Sequence, residues 1–289
     1  MSEYKPVLTY QKLVDFRYTS FRNQPDNHIL TEEEALLFVN QRGFIFFWPI
    51  KGVLLPSLWC ATVGDRPVPN NHDDPGHITW VWKDNMLGKK QWYYARILKR
   101  RNTIISLETA PYFYALSPNY GDYRNDYIDQ YKQGRMTLEA KNVYEALLQE
   151  GPLDTLSLRK QARLINSESG SRFNRAIDDL QIEFKIMPVG VAQTGSWHYS
   201  FIYDITPRHF PEVQEYAKNI SIDAARRKLL DLYLCSVGAV ALNDIPRFFG
   251  WQKADVIRAI QGLKVSGKLV DEVTITDRGS NWVVTSALF

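Results

Sequence analysis

The residues best suited to chemistry fall in one short, irregular stretch. Within residues 66–77 the adjacent carboxylates of Asp73 and Asp74 stand between His72 and His77. Paired carboxylates beside imidazoles could position a water as general base, or hold a metal. Asp followed by Pro and Gly is also turn-making sequence, so the same residues read equally well as a structural turn. The stretch is too rigid and polar for a linker, and loops of this length inside compact domains often carry function. Asp73 and Asp74 are therefore the candidate catalytic residues.

A second kind of chemistry is electrostatic. Lys99-Arg100-Arg101 is the densest cationic run in the chain, and cations at that density suit contact with phosphates. Arg172, Asn174 and Arg175 crowd the start of one helical stretch, and Lys253, Arg258, Lys264 and Lys268 are spread along another. The plainer reading of each group is a charged hairpin tip or a solvated helix face, the middle one balanced by Asp178 and Asp179. The aromatic residues Phe44, Phe46, Phe47, Trp48 and Trp59 could stack on an extruded base, or simply form core. No cofactor is implied, because the glycines lack phosphate-cradling or dinucleotide-binding spacing. Cys60 and Cys235 have no partner ligand at zinc-site spacing, so neither a metal site nor a disulfide is expected from them.

These residues need elements to hold them. Apolar positions recur at helical spacing over residues 137–149, where Gly151-Pro152 stops the helix, and again over 157–165 and 171–184. Phe173, Ile177, Leu180 and Phe184 are the buried stripe of the last of these. Residues 186–192 and 197–205, rich in β-branched and aromatic side chains, flank Gln193-Thr194-Gly195-Ser196 as a hairpin would. The same order returns after Ser221: helices over 222–233, 242–249 and 252–266, then strands over 268–276 and 282–288 around Asp277-Arg278-Gly279-Ser280. Self-similarity at about eighty residues marks a repeat. Three helices followed by a hairpin is the order of a winged helix, a helix-turn-helix variant whose third helix can enter a DNA groove.

The first half reads as another copy. Thr31 and Glu34 form a capping box for a helix to Arg42, ended by Gly43; further helices are expected over 57–63 and 78–86, and a hairpin over 92–98 and 102–107. The expected fold is thus α+β, with three tandem winged-helix repeats. The expected boundaries are an N-terminal helical arm at 1–30, a first winged helix with its long insertion at 31–119, a connector at 120–136, and two further winged helices at 137–207 and 208–289.

Composition narrows the class. Of 289 residues 45% are hydrophobic and 23% charged, which supplies real cores and excludes a disordered chain. Pro49, Lys51 and Pro56 break the longest apolar stretch, so no membrane span is expected, and the first twenty residues are too charged for a signal-peptide core. A cytoplasmic location is the expectation. A net charge of +3 permits a polyanion partner provided the cations are concentrated locally.

Three consecutive winged helices, the segment 44–63 after the first helix, and local identities such as Gly151-Pro152-Leu153 together resemble the AlkZ/YcaQ-type crosslink-repair DNA glycosylases over residues 31–289. The resemblance implies binding of double-stranded DNA in a channel between repeats and hydrolysis of the glycosidic bond of bulky alkylated purines, without a metal. It also implies a Gln-x-Gln or Gln-x-Asp pair after the first helix, and the matching positions here are Ile45 and Phe47. Neither can bind a water, so the chain departs from the family's catalytic pattern and altered or lost chemistry is implied. The DNA-contacting residues expected on this reading are Lys99, Arg100, Arg101, Arg172, Asn174, Arg175, Lys253 and Arg258. The alternative is a non-enzymatic winged-helix regulator or protein-interaction module.

Overall fold

A computed structural model of the chain describes residues 6–71, 73–194 and 198–289. His72 and the hairpin-turn residues Gly195, Ser196 and Trp197 lie outside the described residues.

The elements follow the predicted order, with short additions. β1 (Val7–Leu8) leads into α1 (Tyr10–Ser20) and α2 (Glu32–Arg42). The Thr31 hydroxyl accepts from the Glu34 amide (3.2 Å) while the Glu34 carboxylate accepts from the Leu30 amide (2.8 Å), a reciprocal cap one residue wider than the usual box. Gly43, at φ 78°, ends that helix and releases β2 (Phe44–Phe46); Ser57 caps α3 (Leu58–Val63). Next come α4 (Ile78–Gly88), the hairpin β3 (Trp92–Arg96) and β4 (Asn102–Ser106), α5 (Ala110–Ala115) and α6 (Asp126–Lys132). These are followed by α7 (Leu138–Glu150), β5 (Leu153–Asp154), α8 (Thr155–Gln161), α9 (Gly170–Ile182), β6 (Ile186–Ala192) and β7 (Ser200–Ile205). After α10 (Thr206–His209) and α11 (Pro211–Ala217) come α12 (Ile222–Val237), β8 (Ala239–Ala241), α13 (Asp244–Phe249), α14 (Lys253–Val265), β9 (Leu269–Ile275) and β10 (Gly279–Thr285). The fold is α+β.

Two compact units divide the chain, Met1–Trp80 with Ile222–Phe289, and Val81–Ser221. This grouping cuts across the repeat boundaries read from the sequence, because compactness follows packing and not chain order. In the first unit a four-stranded sheet has the order β1-β9-β10-β8. β1 pairs with β9 in parallel, Val7 opposite Thr274, so residues of the N-terminal arm complete a sheet of the last repeat. Leu13, Ala239, Val273 and Val284 pack in its core, and the Arg17 guanidinium donates to the carbonyls of Val237 (2.9 Å) and Ala239 (2.8 Å). In the second unit, α7 and α9 pack Val143, Leu147, Phe173 and Leu180 against Ile186 and Ile205 of the sheet β5-β7-β6.

One local expectation changes, and one open reading resolves. The helix expected over 157–165 begins and ends earlier, because Asp154 caps α8 and Arg163 turns left-handed at φ 58°; Ile165 then falls outside the helix and is 70% exposed. The aromatic segment after α2 is core: Phe44, Ile45, Phe46 and Phe47 are all buried, as is Trp59.

Candidate nucleic-acid interface

α9 buries Phe173, Ala176, Ile177 and Leu180 and leaves Arg172, Asn174 and Arg175 exposed, as its periodicity demands. Its acidic pair then fastens the β3–β4 hairpin. Arg96 donates to Asp178 (2.6 Å) through its side chain and to the buried Gln181 amide oxygen (3.0 Å) through its backbone, and Arg100 reaches Asp179 at 2.8 Å. The hairpin tip is a tight turn closed by the Arg101 amide donating to the Leu98 carbonyl (3.0 Å). Lys99 and Arg100 occupy its two central positions, each at φ 55°. Consecutive left-handed residues make the tightest hairpin turn, which Asn and Gly adopt most cheaply.

Beside this junction lies a cavity of about 280 Å³ with Arg100, Arg135 and Arg175 on its walls, together with Asp179, Glu183 and Thr137. Arg100 comes from the hairpin tip, Arg135 from the turn after α6, Thr137 from the cap of α7, and Arg175 from α9. Thr137 caps α7, accepting from the Ala140 amide (3.2 Å), so the positive end of that helix also borders the space. Asp179 is the shared counter-ion, 2.8 Å from Arg100 and 4.0 Å from Arg175. Arg135 donates from its guanidinium to Gln133, lies 5.7 Å from the Tyr120 ring, and its charge opposes the effect of burial on the Glu183 carboxylate. Burial raises the pKa of Glu183, with Lys185 opposing the shift. Lys185 itself, lowered by burial to about 8, donates to the Asn119 amide oxygen (2.7 Å). Three guanidiniums thus face two carboxylates, Asp179 and Glu183, in this cavity.

The other expected contact residues are dispersed over their elements. Arg172 pairs with Glu139 at 3.2 Å. Lys99 and Arg101 flank Arg100 on the exposed tip, and Asn174 is exposed. In the other unit Lys253 is exposed at the start of α14, and Arg258 is engaged by Asp255 and, at 3.7 Å, by Asp223.

The 66–77 loop is built as a turn. Both Asp74 oxygens accept from the Arg66 guanidinium (2.6 and 2.9 Å), one of them also accepts from the Gly76 amide (2.8 Å), and Arg66 holds the carboxyl below its usual pKa. A carboxylate held this way is a weak base. Asp73 is exposed, with its amide donating to the Asn71 side chain (3.1 Å). His77 packs on Trp59, ring centroids 5.5 Å apart. Among the described residues no group of three or more His, Cys, Asp or Glu could hold a metal ion.

Sequence reasoning missed Lys83. It is 1% exposed, donating to Asp84 (2.6 Å) and the Tyr199 hydroxyl (2.6 Å), which in turn donates to Asp84 (3.0 Å); the Phe201 ring lies 4.6 Å away. Burial lowers its pKa, with Asp84 opposing. The triad ties α4 to the start of β7. Its available signal was position: Lys83 shares the α4 face that buries Thr79, Met86 and Leu87.

Element order defines the class, an α+β protein in which three helices run into a hairpin over α7 to β7 and again over α12 to β10. Residues 29–250 match the AlkZ-related family, and the chain belongs to that family. Comparison with curated proteins gives no match. Among solved structures the fold is similar to that of the DNA glycosylase AlkZ of Streptomyces sahachiroi, with a TM-score of 0.58 at 11% identity over 96% of this chain and 70% of that one.

Proposed function

We propose that the protein binds double-stranded DNA in the cytoplasm through tandem winged helices, and that the family's glycosylase chemistry is altered or lost in it. The observation that carries the binding reading is the convergence of Arg100, Arg135 and Arg175 on one cavity between a hairpin tip and a third helix. Lys99, Arg101, Arg172, Asn174, Lys253 and Arg258 extend the contact set on this reading. Binding measured by fluorescence anisotropy should weaken by about 0.9 log unit per log unit of salt for each phosphate neutralised. Arg175→Ala should lower that slope by about one phosphate's worth. Absence of binding even at low salt would instead favour a protein-interaction module.

Altered chemistry rests on Ile45 and Phe47, which are fully buried where the family has polar side chains that handle water. Duplex carrying a bulky N7-alkylguanine should yield abasic sites no faster than in buffer. If release does occur, Asp73 is an exposed carboxylate of the 66–77 loop and Asp73→Ala should abolish it, with Asp74→Ala acting through loss of the Arg66 clamp.

A further inference from the structure

We infer that the junction of α6 and α7 is a stacking platform for the unpaired bases of single-stranded DNA. The inference rests on the nucleic-acid reading above, since Arg135 serves both, and it adds a second form of ligand to the duplex. Its first ground is the balance of charge. Arg100, Arg135 and Arg175 face Asp179 and Glu183, so the cavity holds one cation in excess. That excess neutralises about one phosphate, too little to hold a strand by charge alone. Aromatic surface stands next to it. The Tyr120 side chain is 60% exposed, and the Arg135 guanidinium lies 5.7 Å from the centre of its ring. Tyr131, in the last turn of α6, is 36% exposed, with the Lys141 ammonium of α7 5.5 Å from its ring and paired with Glu145 at 2.8 Å. Cations and exposed rings side by side are what a protein needs to take phosphates and bases of one strand together. In a duplex each base face is covered by its neighbours, so these rings gain nothing from paired DNA.

The second ground is how the segment spends its acids. Residues 120–136 contain three carboxylates, Asp122, Asp126 and Asp129. Asp126 accepts from the amides of Tyr120 (2.7 Å) and Asp122 (3.1 Å), and Asp122 accepts from the Arg124 amide (3.1 Å) and the Asn125 side chain (2.7 Å). Two of the three are thus turned onto the chain itself, where they fix the backbone that presents Tyr120. The third, Asp129, precedes Tyr131 by two residues on α6 and so points about 200° away from it around the helix. The rings are therefore held in place by acids that do not compete with a strand for Arg135.

The test compares, by anisotropy, an oligothymidylate, an abasic strand of the same length and a duplex. The oligothymidylate should bind, and Tyr120→Ala should weaken it roughly tenfold, the worth of one stacked base, while leaving duplex affinity and thermal unfolding unchanged. Tyr131→Ala should weaken it further. Tyr120→Phe, which keeps the ring, should bind as the parent does. The abasic strand should bind more weakly than the oligothymidylate, and equally to the parent and to Tyr120→Ala. Four results overturn the inference: an oligothymidylate that does not bind where the duplex does, equal weakening of both by Tyr120→Ala, no weakening of either, or an abasic strand held as tightly as the oligothymidylate. Salt-sensitive duplex binding in any of these cases leaves the duplex reading standing. Tyrosine-dependent binding of the oligothymidylate without duplex binding upholds the inference and removes the duplex reading. Failure of all three to bind at low salt removes both.

Discussion

Lys99 and Arg100 are the residues whose local conformation argues most directly for a role. Two consecutive side chains at φ 55° cost roughly 1 kcal/mol each relative to glycine. Strain retained at a turn points to a use for the side chains that bear it. The double substitution Lys99→Asn with Arg100→Gly gives the turn the residues it adopts most cheaply. It should raise stability by about 1–2 kcal/mol in urea titration and weaken DNA binding in the same preparation. His209 is the residue whose titration should be visible in stability. Burial, reinforced by Lys90, lowers its imidazole to about 4, and its Nε2 is buried without a hydrogen-bond partner among the described residues. The unfolded chain takes up that proton near pH 6.5. Between about 6.5 and about 4 the unfolded state therefore binds more protons, and stability falls as pH falls through that window. His209→Gln should flatten this part of the Tm–pH curve.

At the scale of elements, the third helix and the hairpin act as one piece, because Arg96 and Arg100 clamp the hairpin to Asp178 and Asp179 of α9. The turn between α12 and β8 is similarly constrained. Gly238 sits at φ 76°, and a Cβ there would meet Phe16 at 2.7 Å and Leu13 at 2.9 Å, both in the packed face of α1. Gly238→Ala should cost about 2–4 kcal/mol, combining left-handed backbone with overpacking; a urea midpoint unchanged from the parent would refute this. Helices are legible in the sequence because their stripes are local: α7, α9 and α14 lie within a residue or two of the spans their apolar spacing gives. α8 departs from its expected span at both ends. Its start is set by the Asp154 carboxylate accepting from the Leu156 and Ser157 amides, and its end by a left-handed arginine, neither of which periodicity registers.

For the molecule as a whole, how its cations are paired matters more than the net charge of +3. In the unit containing the last repeat, Arg258, Lys264 and Lys268 each have an acidic partner: Asp255, Asp271 and Asp231. Arg175, 78% exposed and 4.0 Å from its acid, is far less committed. Arg258→Ala should therefore change the salt slope of DNA binding less than Arg175→Ala, a comparison that one set of titrations provides. The described helices include none long and apolar enough to cross a membrane.

The amino-acid sequence alone determined the α+β element order, the cap at Thr31, and the cationic runs, because periodicity and capping are interactions among near neighbours in the chain. Only the tertiary structure decided which of those charges matter together. Arg100, Arg135 and Arg175 meet at one cavity although some 35 to 40 residues separate each from the next, Asp74 is claimed by Arg66, Lys83 is buried against Tyr199, and β1 pairs with β9 across nearly the whole chain. Such meetings depend on how apolar faces pack, and that packing energy belongs to pairs of distant segments, so no local pattern records it.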